Sequence, residues 1–253
     1  MRKALTALAT LFFLSLVAAT PARAQNAPQP TVYTYVSLWG VPRAHWGAME
    51  TFLASEQAAF DKLVDAGTLT GYGTCIYELH GADGFTHCTW FQASSVGNIL
   101  RALDALSSSA ASSPVLADAR HMDELYQSTM YGGHPGVYHN AYMWFGHFTL
   151  KPGGAGPWSH LFGIYVRPQL DKMVASGEVV GYQLLTPLVH TPGSSGTLNY
   201  DFISSSPDGI DQFFAAIGKI ESANPAIPAA ISSYERPAGH YDLILKVPTM
   251  REK

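Results

Sequence analysis

The chain has 253 residues, 47% of them apolar and only 13% charged, with a formal net charge of −4. That length allows one large domain or two of about 100 residues, and the composition is that of a globular protein rather than a disordered or collagenous one. An acidic chain with no basic run is a poor partner for nucleic acid or an anionic membrane, so neither is expected as a partner.

The first element in chain order is a leader. MRK supplies a positive start, residues 4–19 are an apolar run, and Ala22-Arg23-Ala24 is a small-x-small end. This is the order of a secretory signal peptide, with cleavage expected before Gln25. The alternative, a membrane anchor, needs ~20 apolar residues, more than this run supplies. The protein is therefore expected to be exported, as a periplasmic or secreted chain. Loss of Arg2, Lys3 and Arg23 takes the formal charge from −4 to −7.

After the leader, residues 31–39 are rich in β-branched and aromatic side chains and read as a strand. Arg43 to Ala66 reads as a helix, with Trp46, Met49, Leu53, Phe60 and Val64 near the 3.6 period and Gly67 as its left-handed stop. Leu69 to His80 and Phe85 to Gln92 form a hairpin about the turn 81–84. Ser94 or Ser95 caps a second helix, and residues 114–125, with Pro114 in the first turn, predict a short third one. Residues 125–131 are a fourth strand, and 134–140 a linker.

The order then repeats. Tyr142 to Leu150 is a strand, Trp158 to Ser176 a helix, and Pro168 is expected to kink or split it. Residues 179–190 and 197–204 are a hairpin, Pro207 to Glu221 a helix, Pro225 the start of a short helix, and 231–235 a last strand. The tail 241–253 is left open, as a packed extension or a frayed end. The clearest sign of duplication is DKLVDAGTLTGYGTCIYELH, residues 61–80, against DKMVASGEVVGYQLLTPLVH, residues 171–190. Seven of the twenty positions are identical at an offset of 110. Each copy is a βαββαβ unit of ferredoxin-like order, at 31–133 and 141–240, in an α+β protein. A single sheet would expose strand aromatics such as Tyr33, Tyr35, Trp39, Trp144 and Phe148. Two copies packed sheet to sheet bury them.

On these features the chain resembles the dimeric α/β-barrel superfamily in its tandem, single-chain form. The resemblance covers about 31–240 and rests on the element order, the doubled DK-[LM]-V-x-x-G-x-[LV]-x-G-Y motif and a His ending each second strand. It extends to exported bacterial proteins of this architecture. The superfamily holds cofactor-independent monooxygenases of aromatic substrates, haem enzymes such as chlorite dismutases, EthD-like and NIPSNAP-like proteins, and small cyclases. The resemblance to the haem branch implies a proximal His four residues before the glycine that ends the second unit's first helix. That position is Met173 here, and Leu63 in the first unit. No cofactor is therefore expected, with haem or a divalent metal as the alternatives.

Ten histidines are available for chemistry. The densest polar group is ELHGADGFTH, residues 78–87. A four-residue turn at 81–84 sets Glu78 opposite His87 with His80 on the same face, a set that could orient an imidazole, act as a general base or bind a metal. His87, His80 and Glu78 are thus the candidate catalytic residues. Tyr72, Trp90 and His121, with Asp123 beside it, are candidate ligand contacts, and no metal set is expected. Polar surface is the competing reading for a hairpin His, and plain core for Tyr72 and Trp90. Cys75 and Cys88 either form a disulfide or are two buried thiols. They face each other directly only if the turn is the two-residue Gly81-Ala82, a register that separates Glu78 from His87. No nucleophile elbow, P-loop or dinucleotide fingerprint is present. The function this implies is binding of a small apolar or aromatic molecule in the first unit, with cofactor-independent oxidation, isomerisation or cyclisation as the possible chemistry. A non-catalytic binding or interaction module is the alternative.

Overall fold

The computed structural model describes residues 29–79, 84–110, 113–190 and 196–253, the side chains of 108–110 excepted. The leader at 1–24, His80 and residues 81–83 of the turn lie outside the described residues. The first unit comprises β1 (Val32–Gly40), α1 (Trp46–Asp65), β2 (Gly71–Tyr77), β3 (His87–Ala93), α2 (Val96–Ala110) and β4 (Arg120–Gly133). The second comprises β5 (Gly136–Leu150), α3 (Ala155–Leu161), α4 (Arg167–Ser176), β6 (Val179–Pro187), β7 (Thr197–Ser204), α5 (Pro207–Ala223), α6 (Ala226–Tyr234) and β8 (Glu235–Glu252).

The strands close into one antiparallel barrel in the order β1-β3-β2-β8-β5-β7-β6-β4. Each unit contributes four strands in the order last-first-third-second. The last strand of each unit is also the seam: β4 pairs with β1 of its own unit and β6 of the other, and β8 with β5 and β2. Pairing at both seams leaves no free sheet edge. The period-2 alternation then gives every strand an inner and an outer face. Leu38, Cys75, Cys88, Trp90, Met143, Leu243 and Leu245 form the inner core. The outer faces are covered by α1 and α2 on the first unit and by α3 to α6 on the second.

Several local expectations hold. Gly67 and Gly177 take positive φ at the ends of α1 and α4. Pro168 sits in the first turn of α4 and is preceded by a π-helical turn, Phe162–Val166. That wider turn accommodates a proline that lacks an N–H and crowds the carbonyl four residues back. Others are corrected. Residues 114–125 are not a helix: one 3-10 turn at Pro114–Leu116 leads into β4, which begins at Arg120. Residues 231–234 belong to α6, and the last strand is β8, so the tail is the longest strand of the barrel. Most of the 134–140 linker is the start of β5. No described helix is long and apolar enough to cross a membrane.

Candidate functional site

The β2–β3 register decides the fate of the ELHGADGFTH group. Cys75 pairs with Cys88 and Ile76 with His87. The two inward-facing cysteines form a disulfide, with α-carbons 4.9 Å apart. The expected opposition of Glu78 and His87 is therefore absent. Glu78 lies beyond the end of β2, exposed, and its N–H donates to the Ile244 carbonyl. His87 is fully buried on the outer face of β3, with Nδ1 2.9 Å from the Thr86 hydroxyl and its ring against the edge of Trp46. The structure does not bring these residues together, and His80 lies outside the described residues.

The three expected ligand contacts lie in three different places. Tyr72 is buried on the outer face of β2, stacked on Phe60, and donates to Asp61, which also pairs with Arg251 of β8. It fastens α1 to the barrel. Trp90 faces the barrel interior. His121 is on the outer face of β4, at the rim of a cavity of about 330 Å³ between the sheet and the helices of the first unit.

That cavity has an apolar wall and a polar corner. Phe60, Phe91, Leu53 and Leu103 supply the first. The corner follows from the β1–β4 register, which sets Ser37 opposite Asp123 and Trp39 opposite His121. His121 lies flat on Trp39, with ring centroids 3.9 Å apart. Its Nε2 is 2.8 Å from Asp123 Oδ1 and 2.7 Å from Ser37 Oγ. The Tyr35 hydroxyl donates to the same Asp123 oxygen. Burial, then that carboxylate, pushes the Tyr35 hydroxyl well above the ordinary tyrosine range, so Tyr35 is a donor and not a base. Glu56, buried on α1, faces the cavity from the helix side.

One imidazole nitrogen meets both Ser37 and Asp123. A serine nucleophile relay needs the two nitrogens divided between carboxylate and hydroxyl, so this is not one. With the Nε2 proton directed to Asp123, Nδ1 is left as the basic atom, a tautomer assigned from the hydrogen bonds. Held by a carboxylate and an indole face, and 38% exposed at the cavity rim, His121 is arranged as an oriented acid–base group.

The second unit repeats the corner and lacks the space. Phe91 pairs with Tyr35 and Tyr72, and Phe202 with Trp144 and Tyr182, which fixes the correspondence of positions. Trp39 then matches Phe148, Ser37 matches Gly146, and His121 and Asp123 match His240 and Asp242. His240 stacks on Phe148 at 4.4 Å and lies 2.8 Å from Asp242. That hydrogen bond raises the His240 pKa. Thr89, which lines the first cavity, is matched by Tyr200, whose ring touches those of Trp144, Phe148, Trp158 and Phe162. The paired sequence signal is short: HMDEL at 121–125 and HYDLI at 240–244.

Among the described residues, the positions weighed above for haem and for a metal hold no ligand set. Met173 is buried in the same aromatic core as Tyr200, so the haem position of the second unit holds neither a ligand nor room. Among the described residues no three His, Cys, Asp or Glu side chains are grouped to hold a metal ion.

No protein-family model matches the sequence, and no curated protein matches it. Solved structures do. A candidate monooxygenase from Fusobacterium nucleatum superposes with TM-score 0.65 at 9% identity, over 89% of this chain and 95% of that one. An anthrone oxidase-like protein gives 0.55 at 14% identity, over 88% and 94%. A haem-binding protein from Thermus thermophilus gives 0.54 at 13%, over 87% and 94%. At such identities the likeness is one of fold. With its closed eight-stranded barrel, doubled unit and outer helices, the chain has the dimeric α/β-barrel fold in its single-chain, tandem form.

Proposed function

We propose that the protein is exported and binds a small apolar or aromatic molecule in the outer cavity of the first unit, where His121, held by Asp123, exchanges a proton with it. The observation that carries this reading is the contrast between the units. Both have the His–Asp corner, but only at the Thr89 position is the space in front of it left unfilled by a large ring. A cavity of about 330 Å³ with an apolar wall and a few converging polar groups is a common form of small-molecule site. Proton removal from an aromatic hydroxyl or an acidic C–H is the first step shared by isomerisation, cyclisation and cofactor-independent oxidation. The names of the similar structures, a candidate monooxygenase and an anthrone oxidase-like protein, agree with that chemistry. Export is supported by the order of residues 1–24 and by the Cys75–Cys88 bond, which suits an oxidising compartment.

Binding without turnover is the second reading. His240 and Asp242 favour it, since the same pair stands there over a filled core. The two are separated by incubating the full chain and its His121→Ala variant with anthrone and with 1-naphthol. Saturable binding by both proteins and conversion by the wild type alone supports catalysis. Saturable binding with no conversion by either supports the binding module. No saturable binding of either compound, by the chain or by material purified from its own producing cell, removes the first-unit site.

A further inference from the structure

We propose that one end of the barrel interior is a second binding site, separate from the outer cavity, for a small primary amine that also carries a hydroxyl or carbonyl oxygen. The end chamber has a volume of about 300 Å³. A water takes about 30 Å³ in the liquid, so the chamber has room for roughly ten non-hydrogen atoms. Two carboxylates line it, Asp201 from β7 and Glu252 from β8.

Each is oriented by its neighbours. Gln183 accepts from Thr34 (3.0 Å) and Gln92 (2.9 Å) through its oxygen, so its amide nitrogen must face Asp201, to which it donates at 3.1 Å. Among the described residues, only one Asp201 oxygen accepts a hydrogen bond from a side chain. Glu252 lies over Gly71, where a Cβ would stand 2.7 Å from Oε2, and no described residue donates a hydrogen bond to its carboxylate.

The observation that points to a ligand is Trp90. It is 4% exposed, lines the chamber, and its indole N–H has no partner among the described residues. A buried donor left unpaired is costly, because it has given up its hydrogen bond to water and gained none in return. Gly73 makes room for the ring: a Cβ there would stand 2.6 Å from the indole.

The other titratable side chains on the chamber wall are committed elsewhere. Lys253 donates to the Val64 carbonyl, His134 bonds the Val174 carbonyl, Tyr131 donates to the Pro30 carbonyl and Tyr182 to Asp171. What remains among the described residues is two carboxylates, one indole N–H donor and the Thr70 hydroxyl, which also has no partner there and can donate or accept. An ammonium meets the first, an oxygen acceptor the second, and the indole face suits a cation.

Burial pushes Asp201 up to about 7, and burial together with Asp201 pushes Glu252 up to about 8. Protons therefore compete with the amine, and binding strengthens as pH rises through that range while an alkyl amine stays charged.

The test is an NMR titration of the full chain with ethanolamine, with ethylene glycol as the uncharged control. The readout is the Trp90 indole N–H resonance, assigned with Trp90→Phe. The expected result is a saturable shift with ethanolamine alone, at least fivefold tighter at pH 8.5 than at pH 6. Glu252→Gln is expected to weaken it tenfold or more. Thr89→Tyr, which addresses the outer cavity, is expected to leave it unchanged. No saturable shift, equal response to ethylene glycol, or full affinity in Glu252→Gln overturns the proposal. Loss of the shift in Thr89→Tyr overturns the location.

Discussion

Thr89 and Tyr200 occupy the same place in the two units, each on the outer face of the third strand two residues before its matched phenylalanine. Tyr200 fills the space between sheet and helices with its ring, and Thr89 leaves it open. The exchange Thr89→Tyr should therefore close the first cavity. Its ring enters existing space, so stability should change by no more than about 1 kcal/mol, while binding of aromatic probes is lost. The reverse change, Tyr200→Thr, should cost about 3 kcal/mol or more, because it empties a packed core. Urea denaturation of both variants checks the pair.

His121 is half-exposed and Asp123 more so, which separates their chemistry from folding. His121→Ala should shift stability by less than about 1 kcal/mol and lower turnover of an accepted substrate roughly 100-fold or more. Asp123→Asn should lower turnover less, since the imidazole keeps its Trp39 stack and loses only its carboxylate partner. Steady-state kinetics with parallel melting curves distinguishes a catalytic loss from an unfolded enzyme.

The disulfide closes a loop of 13 residues. A crosslink of that span contributes about 3 kcal/mol through the unfolded state. Denaturation with and without reductant should differ by an amount of that order, and the mass after alkylation without reductant should show neither thiol modified.

Asp201 should set an alkaline trend in stability. Its pKa is raised to about 7 in the folded barrel by burial. Between about pH 4 and 7 the unfolded chain releases this proton and the folded chain holds it. Stability therefore falls as pH rises, by about 1.4 kcal/mol per pH unit for one proton. The Asp201 contribution levels off once that carboxyl ionises in the folded state. Comparing wild type with Asp201→Asn isolates the effect: the variant should gain on the wild type from pH 5 to pH 8, and a difference independent of pH would refute it.

The sequence shows the fold more fully than the site. The doubled DK…GY motif, the stops at Gly67 and Gly177 and the split at Pro168 are local signals, and each appears where read. The seam strands were hidden. Residues 114–125 look helical by themselves, and β4 exists because β1 and β6 pair with it from both sides, a tertiary choice that overrides local preference. The same holds for β8, read as a tail. Losing the seams also hid the corner: on a helix, His121 and Asp123 would diverge, whereas on a strand they share one face. The repeated H-x-D at 121 and 240 was the available clue. The register of the β2–β3 hairpin turned on the cysteines, whose direct opposition places Glu78 away from His87.

A crystal structure of the full chain with 1-naphthol locates the ligand outright. The expected result is a naphthol ring between β1, β3 and the helices α1 and α2, against Phe60 and Phe91, with its hydroxyl within hydrogen-bond reach of His121. A ring held inside the barrel, or a bound ring that persists in Thr89→Tyr, would contradict the assignment of the outer cavity as the site.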